Sequence, residues 1–347
     1  QYTHRQLCLA VASILEAFPD IDEGSHLACW LPLSNMFQRI INLLAIGCGA
    51  QTYYVQDPRT IMKQIASIEP HLFIGVPRFY EKLYAGMIKR IRQGPAWKQA
   101  LVAWALRVGE SYAGSLRSGK HPTFLRQLYH GLADYLVLHR LRGVMGANLQ
   151  YMVSGSAPMP LWLLERFHAM GLLVLEAYGM SENAIPIAAN RLGAYRFGTV
   201  GRPMSGCEVH VANDGELMVR GPGVIKAYYA EEHAGLLDSN DYLASGDYAT
   251  IDADGFITLT GRKSDIFKTA TGRRIAPAAI ESILSRVPFV ESAVVFGAGR
   301  PFLVAVVVIS TDASDLMVGE KSEQSGLREY CERIRPEFEQ FLAPLPD

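Results

Sequence analysis

Residues 149–183, "LQYMVSGSAPMPLWLLERFHAMGLLVLEAYGMSEN", carry the pattern that decides the fold. "LQYMV" (149–153) and "LLVLEA" (172–177) are apolar runs of strand length, and "LWLLERFHAM" between them spaces its apolar residues as a helix does. Pro160 is expected at the first helical position and Gly171 as the stop. A strand, a helix and a strand in that order form a β-α-β unit, whose strands run parallel. "SGSAP" and "YGMSE" then both lie beyond carboxyl ends of strands in one sheet, the edge where open α/β sheets bind ligands.

The same alternation extends towards the amino end. "HLFIGVP" (71–77) reads as a strand closed by Pro77, and "RFYEKLYAGMIKRI" after it as a helix. A long, fairly basic helical region runs from about 96 to 141, interrupted at "SGKHP". Its charges read as a solvated face, with contact at a membrane surface the competing interpretation. Beyond residue 195 short strands and tight turns take over. "EVHVANDGELMVRGP" and "DYATIDADGFITLTGR" each hold Asp-Gly between alternating runs, a hairpin signal. After Gly261 come a "TATG" turn, a helix through "APAAIESILSR" and two strands around "GAGRP". The expected organisation is a large α/β domain over 1–263, with a β-rich part at about 195–263, and a small α+β domain over 264–347.

Composition narrows the partners. The 347 residues are long enough for about two domains. Basic residues number 33 against 34 acidic, with no basic block, so composition gives no support to a nucleic-acid partner and favours a small-molecule substrate. The five cysteines are scattered and never spaced C-x-x-C, which reads as reduced, mostly buried thiols in a cytoplasmic setting. The longest apolar stretches are too short to span a bilayer. No signal peptide is evident, and the chain starts within a helical pattern without Met, as a fragment would.

"YGMSE" alone has two readings. Gly179 lets the backbone turn and approach a ligand, and Ser181 and Glu182 offer hard oxygens to a phosphate and its Mg²⁺. A strand-ending polar turn with Glu182 in water explains the same letters. Asp247 in "YLASGDYATID" could accept hydrogen bonds from a ribose diol or form an ordinary Asx turn. Arg262, Lys268 and Arg274 in "GRKSDIFKTATGRRIAP" could meet an anionic ligand or form a solvated basic hairpin.

Order and spacing add what the single motifs lack. "GSAP", "YGMSE", "GTVGRP", "ELMVRGP", "SGDYATID" and "GRKSDIFKTATGRRIAPAAIE" together resemble the adenylate-forming, AMP-binding enzymes, the acyl-CoA synthetase family. "LPLSNMFQR" and "VPRFYEKLYAG" resemble segments of the long-chain fatty acyl-CoA synthetases. The likeness runs from the first residues to about 310. It implies a fatty acid:CoA ligase that uses ATP, Mg²⁺ and coenzyme A: a carboxylate attacks the α-phosphate of ATP, and a thiol then displaces AMP. It implies that Tyr178 stacks on adenine, with Gly155, Ser156, Ala157 and Gly179 around the base. Ser181 would contact phosphate, Glu182 would hold Mg²⁺, and Asp247 and Arg262 would bind the ribose hydroxyls. Ser264 would match the hinge residue, Gly272 would lie along the pantetheine channel, and Lys268 would face the site in the thioester step.

Departures from the pattern accompany the likeness. The Ser/Thr/Gly-rich phosphate loop is expected before residue 1 and the adenylation lysine after residue 347. Asn35 stands where the long-chain pattern has His, Ser264 where Asp or Lys is common, and Ala244 where a larger residue precedes "SGD". A fatty acyl-AMP ligase serving a carrier protein is the alternative within enzymes. A non-catalytic nucleotide- or acyl-binding module is the alternative outside them. The four tryptophans are expected in the core, and His4, His71 and His168 are expected to be structural or solvated. Oligomeric state is not readable.

Overall fold

The computed structural model describes residues 1–119, 121–229, 236–284, 287 and 290–309. Contacts divide the chain into two units, Gln1–Ser245 with Thr250–Thr258, and Gly246–Ala249 with Leu259–Asp347.

The first unit opens with helix α1 (His4–Ala17), started by a capping box in which Thr3 and Gln6 exchange side-chain-to-backbone hydrogen bonds. Strand β1 (His26–Cys29), helix α2 (Met36–Cys48), strand β2 (Gln51–Tyr54), helix α3 (Ile61–Ile68), strand β3 (Leu72–Gly75) and helix α4 (Pro77–Arg92) follow. Asn35 caps α2, its Oδ1 accepting the Phe37 N–H at 2.9 Å, and Gly49 ends it in the left-handed region. The basic stretch resolves into α5 (Ala96–Arg117), α6 (Phe124–Ala133), a π-helical turn (Asp134–Leu138) and α7 (His139–Arg142). Then come β4 (Tyr151–Ser154), α8 (Leu161–Ala169) and β5 (Val174–Tyr178), and β4 pairs with β5 in parallel, Met152 opposite Val174. Gly171, at φ 78°, follows the end of α8. Pro160 is the N-cap and not the first helical residue: its ψ of 126° is extended, so the helix starts at Leu161.

Short strands β6 (Ala188–Ala189) and β7 (Arg202–Pro203) complete a seven-stranded sheet in the order β2-β1-β3-β4-β5-β6-β7. It is parallel through β5 and antiparallel beyond. Side chains alternate along each strand, so Leu72, Ile74, Tyr151, Val153 and Leu175 pack with residues of α1 and α2. Phe73, Met152 and Val174 pack with residues of α3, α4 and α8. Helices therefore cover both faces, and every residue of β3 and β4 is buried. The fold is α/β, as expected.

The tryptophan expectation needs one correction. Trp30 is buried and Trp104 and Trp162 are half-buried, but Trp97 is 64% exposed. It lies in the first turn of α5, ahead of the residues from Leu101 onward that pack against α6 and the turn after it.

Strands β8 (Glu208–Val211), β9 (Glu216–Arg220), β10 (Leu243–Ile251) and β11 (Ile257–Arg262) form a sheet in the order β11-β10-β9-β8. Both Asp-Gly segments make the expected turns, closed by Ala212 N–H on Glu216 O at 2.8 Å and Asp252 N–H on Phe256 O at 3.1 Å. The second unit contains a hairpin of β12 (Phe267–Lys268) and β13 (Arg274–Ile275) around "TATG", helix α9 (Pro277–Leu284), and antiparallel β14 (Val290–Phe296) and β15 (Val304–Ile309). Leu284, Val287, Val290, Ala293 and Val295 form its small core. Cys331 and "FLAPLPD" lie outside the described residues. Among the described residues no helix is long and apolar enough to cross a membrane.

Candidate active site

The carboxyl ends of β3, β4 and β5 bring the first group of expected residues together. Gly155 follows β4, and its N–H donates to Gly75 O at the end of β3, 3.2 Å away. A Cβ on Gly155 would stand 3.1 Å from the Phe37 ring and 3.5 Å from the Ala177 carbonyl oxygen, so "GSAP" lies directly against the strand that leads into "YGMSE". Ser156 and Ala157 are exposed, and Ser156 has φ 69°. A left-handed serine is unfavourable by about 1–2 kcal/mol, strain of a kind that clusters at ligand sites. Asn35 serves as the α2 cap, beside the Phe37 that closes on Gly155.

Tyr178 ends β5, buried to 9% exposure, with its carbonyl accepting the Ile187 N–H at 2.8 Å. Gly179 and Ser181 beyond it are exposed and Glu182 is half-buried. This turn is fastened to residues 223–225: Ala184 N–H donates to Gly223 O at 2.9 Å, and Ile225 N–H to Glu182 O at 2.8 Å. The Tyr228 hydroxyl donates to Glu182 Oε1 at 2.9 Å. The Tyr2 hydroxyl donates to Ser181 O, and burial first, then the nearby Glu182, push that phenol well above its ordinary range. Glu182 is thus a held carboxylate and not a freely solvated one.

Glu182 also suits Mg²⁺. That ion takes one or two carboxylates and completes its octahedron with phosphate oxygens and water. Among the described residues no group of three or more His, Cys, Asp and Glu could hold a metal without such help.

The sequence reading missed Glu176. It lies on β5 two residues before Tyr178, 7% exposed, and its Oε1 accepts the Met159 N–H at 3.2 Å. Burial raises its carboxyl to about 7, against the opposing pull of N–H groups from Met159 and Gly198. Oε2 is buried without a protein partner. One side chain therefore ties "GSAPMP" to the strand that leads into "YGMSE". A lone acid inside the apolar run "LLVLEA" was the visible signal. Tyr2 and Tyr228 gave none.

The second unit holds the remaining expected residues. Asp247 on β10 is 7% exposed, and Arg262 Nε donates to its Oδ1 at 3.2 Å, with the Arg262 side chain mostly in solvent. Lys263 N–H donates to Gly246 O at 2.8 Å and holds the two strands together there. Ser264 is exposed, its hydroxyl donating to Asp265 Oδ1 at 2.7 Å. Lys268 is exposed on β12 opposite Arg274, and Gly272, at φ 82°, turns the hairpin with its N–H on Thr269 O at 2.9 Å.

Comparison with known proteins identifies the family. The AMP-binding enzyme family matches residues 1–229, and the AMP-binding enzyme C-terminal domain matches residues 264–341. The long-chain-fatty-acid–CoA ligase FadD15 of Mycobacterium tuberculosis is 32% identical over 305 residues, covering 88% of this chain and 50% of that protein. The putative fatty-acid–CoA ligase fadD11 of the same species is 33% identical over 333 residues, covering 94% and 57%. The chain spans about half the length of the curated relatives it matches. In three dimensions it is similar to O-succinylbenzoate coenzyme A synthetase (MenE) of Bacillus subtilis solved with ATP and magnesium, with TM-score 0.64 and 20% identity over 93% of this chain and 60% of that one. An ATP-bound RpMatB-BxBclM chimera gives TM-score 0.67 and 20% identity over 100% and 59%. At such identity the structures speak for the fold, and the family match over most of the first unit supplies the rest: the chain belongs to the AMP-binding enzyme family.

Proposed function

We propose that this chain is part of a cytoplasmic, ATP-dependent long-chain fatty acid:CoA ligase, with its mobile small domain starting at residue 264. The observation that carries the reading is the joining of "GSAP" and "YGMSE" at one sheet edge, with Glu182 held by the Tyr228 hydroxyl. The one-third identity to fatty-acid–CoA ligases supports the acyl substrate.

In this reading a fatty carboxylate oxygen attacks the α-phosphorus of ATP and pyrophosphate leaves. The thiol of coenzyme A then attacks the acyl carbonyl and AMP leaves. Residues 155–157, Tyr178 and Gly179 position the base, and Asp247 and Arg262 the ribose. Ser181 donates to phosphate, and Glu182 is the residue that would hold Mg²⁺, whose chemistry is to offset phosphate charge. Gly272 and Lys268 serve the thioester step. The protein's work is positioning and charge stabilisation, with no covalent nucleophile of its own. Contact with a membrane surface belongs to the same reading, because long acyl chains partition into bilayers.

Calorimetry with a non-hydrolysable acyl-AMP mimic tests the proposal, beside pyrophosphate release with palmitate. Tyr178→Ala should weaken the mimic about tenfold, the scale of a lost base–aromatic stack. Equal affinity in the variant overturns the site. Binding with no pyrophosphate release would make the chain a binding module.

A further inference from the structure

The chain as a whole is nearly neutral, but its charge is unevenly spread. Between residues 78 and 142 there are twelve Lys and Arg against Glu81, Glu110 and Asp134. Asp134 is paired with Arg142 at 2.5 Å and Glu110 with Arg166, so two of the three acids are already answered. This excess surrounds an unusual helix. On α6, Phe124 is 76% exposed, Leu125 63%, Leu128 60% and Leu132 48%, and Tyr129 is exposed with them. Tyr135, in the turn after it, is exposed too. At 3.6 residues per turn the five α6 side chains fall within an arc of about 140°. The opposite side packs inward, with Ala133, Val137 and Leu138 in a core shared with Ala105 of α5. A contiguous apolar face of this kind on a soluble surface marks an interaction site.

We infer that the α6 face is a docking surface for an anionic lipid bilayer. Charge chooses the partner: the basic excess of residues 78–142 surrounds the apolar arc, with exposed Arg126 on α6 itself and exposed Arg140 on α7 after it, while Arg117 is already paired with Glu165 at 3.3 Å. Leucines at the centre with phenol-bearing Tyr129 and Tyr135 alongside are the composition of a helix lying in the headgroup boundary, apolar side down. Basic side chains around it add attraction to an anionic surface, which salt screens. The surface deepens the ligase reading by giving its acyl substrate a source. It is measured without nucleotide or fatty acid, so either idea can fail alone.

The test is co-sedimentation of the chain with vesicles of phosphatidylcholine mixed with phosphatidylglycerol, against vesicles of phosphatidylcholine alone. The chain should pellet with the mixed vesicles, several-fold less with the neutral ones, and less again as salt is raised. Leu128→Ser with Leu132→Ser should cut pelleting by about tenfold or more, since each exposed leucine removed takes apolar area from the boundary. Circular dichroism and melting temperature should stay put, because both side chains already face water. Failure to pellet with the mixed vesicles overturns the proposal, as does undiminished pelleting by the double variant. A wild-type dimer in light scattering that the double variant turns into a monomer also overturns it, making the face a self-interface.

Discussion

The Glu176 carboxyl accepts the Met159 N–H at 3.2 Å, joining the last turn of "GSAPMP" to the strand that ends in Tyr178. A loop and a strand whose bonded residues are 17 positions apart thus meet at one buried side chain. Its other oxygen has no protein partner, so the neutral acid suits the site better than the anion.

Glu176 therefore links folding to pH with a definite sign. Its folded value is about 7 against an ordinary 4.5, so the folded state binds the extra proton. That contribution is fully present below about pH 4.5 and is lost as pH rises through 7. Glu176→Gln keeps an acceptor for Met159 and cannot ionise. At pH 8 the variant should be more stable than wild type by on the order of 3 kcal/mol, the gap closing towards pH 5. Urea unfolding at both values measures it, and an equal gap at both excludes a buried neutral carboxyl.

Glu182 should behave differently, because it is half-buried and its carboxylate faces Tyr228. Glu182→Ala should change stability by less than about 1 kcal/mol, as for a surface site. It should abolish the magnesium dependence of ATP binding, read by calorimetry with and without the ion. A variant that keeps full magnesium dependence refutes the assigned role.

"GTVG" makes a prediction about folding alone. Gly201 has φ 88°, and a Cβ there would stand 2.0 Å from the Ala189 carbonyl carbon and 2.2 Å from Asn190 N. Backbone cannot give way as a flexible side chain can, so Gly201→Ala should cost about 3 kcal/mol or more. Thermal melting checks this, and a drop of only a degree or two would mean that the loop can move aside.

Much of the fold was legible because burial on both faces writes β3, β4 and β5 as plain apolar runs, with Gly and Pro marking their ends. The hairpins were legible for the same local reason, since Asp-Gly supplies its own turn geometry. Pro160 was misread by one place because a proline before a helix and one inside its first turn look alike in sequence. Trp97 was misread because aromaticity says nothing of whether a neighbour covers the ring. Tyr2 was invisible for a deeper reason: its partner Ser181 is 179 residues away, and no local pattern encodes such a contact. Glu176 lay in plain view, a charge inside an apolar strand, but its meaning needed the Met159 N–H that only the folded loop supplies.

His168 supplies a titration opposite in sign to that of Glu176. Its ring lies 5.4 Å from Phe197 and within 3.3 Å of the Tyr195 hydroxyl, and Nδ1 is buried without a protein partner. Burial first, and then the charge of Arg117, press it down to about 4 from an ordinary 6.5. The unfolded chain therefore takes up a proton that the folded one refuses, and stability falls as pH drops from 6.5 towards 4. The ring is partly open to solvent, so the loss is discounted to about 2 kcal/mol. His168→Gln should remove this dependence while leaving the Glu176 dependence intact. Over pH 4–6.5 wild type is the sum of one titration that stabilises on acidification and one that destabilises, and it should show a flatter profile than either single variant. A wild-type urea-midpoint curve as steep as that of Glu176→Gln would show that the two buried groups do not oppose each other.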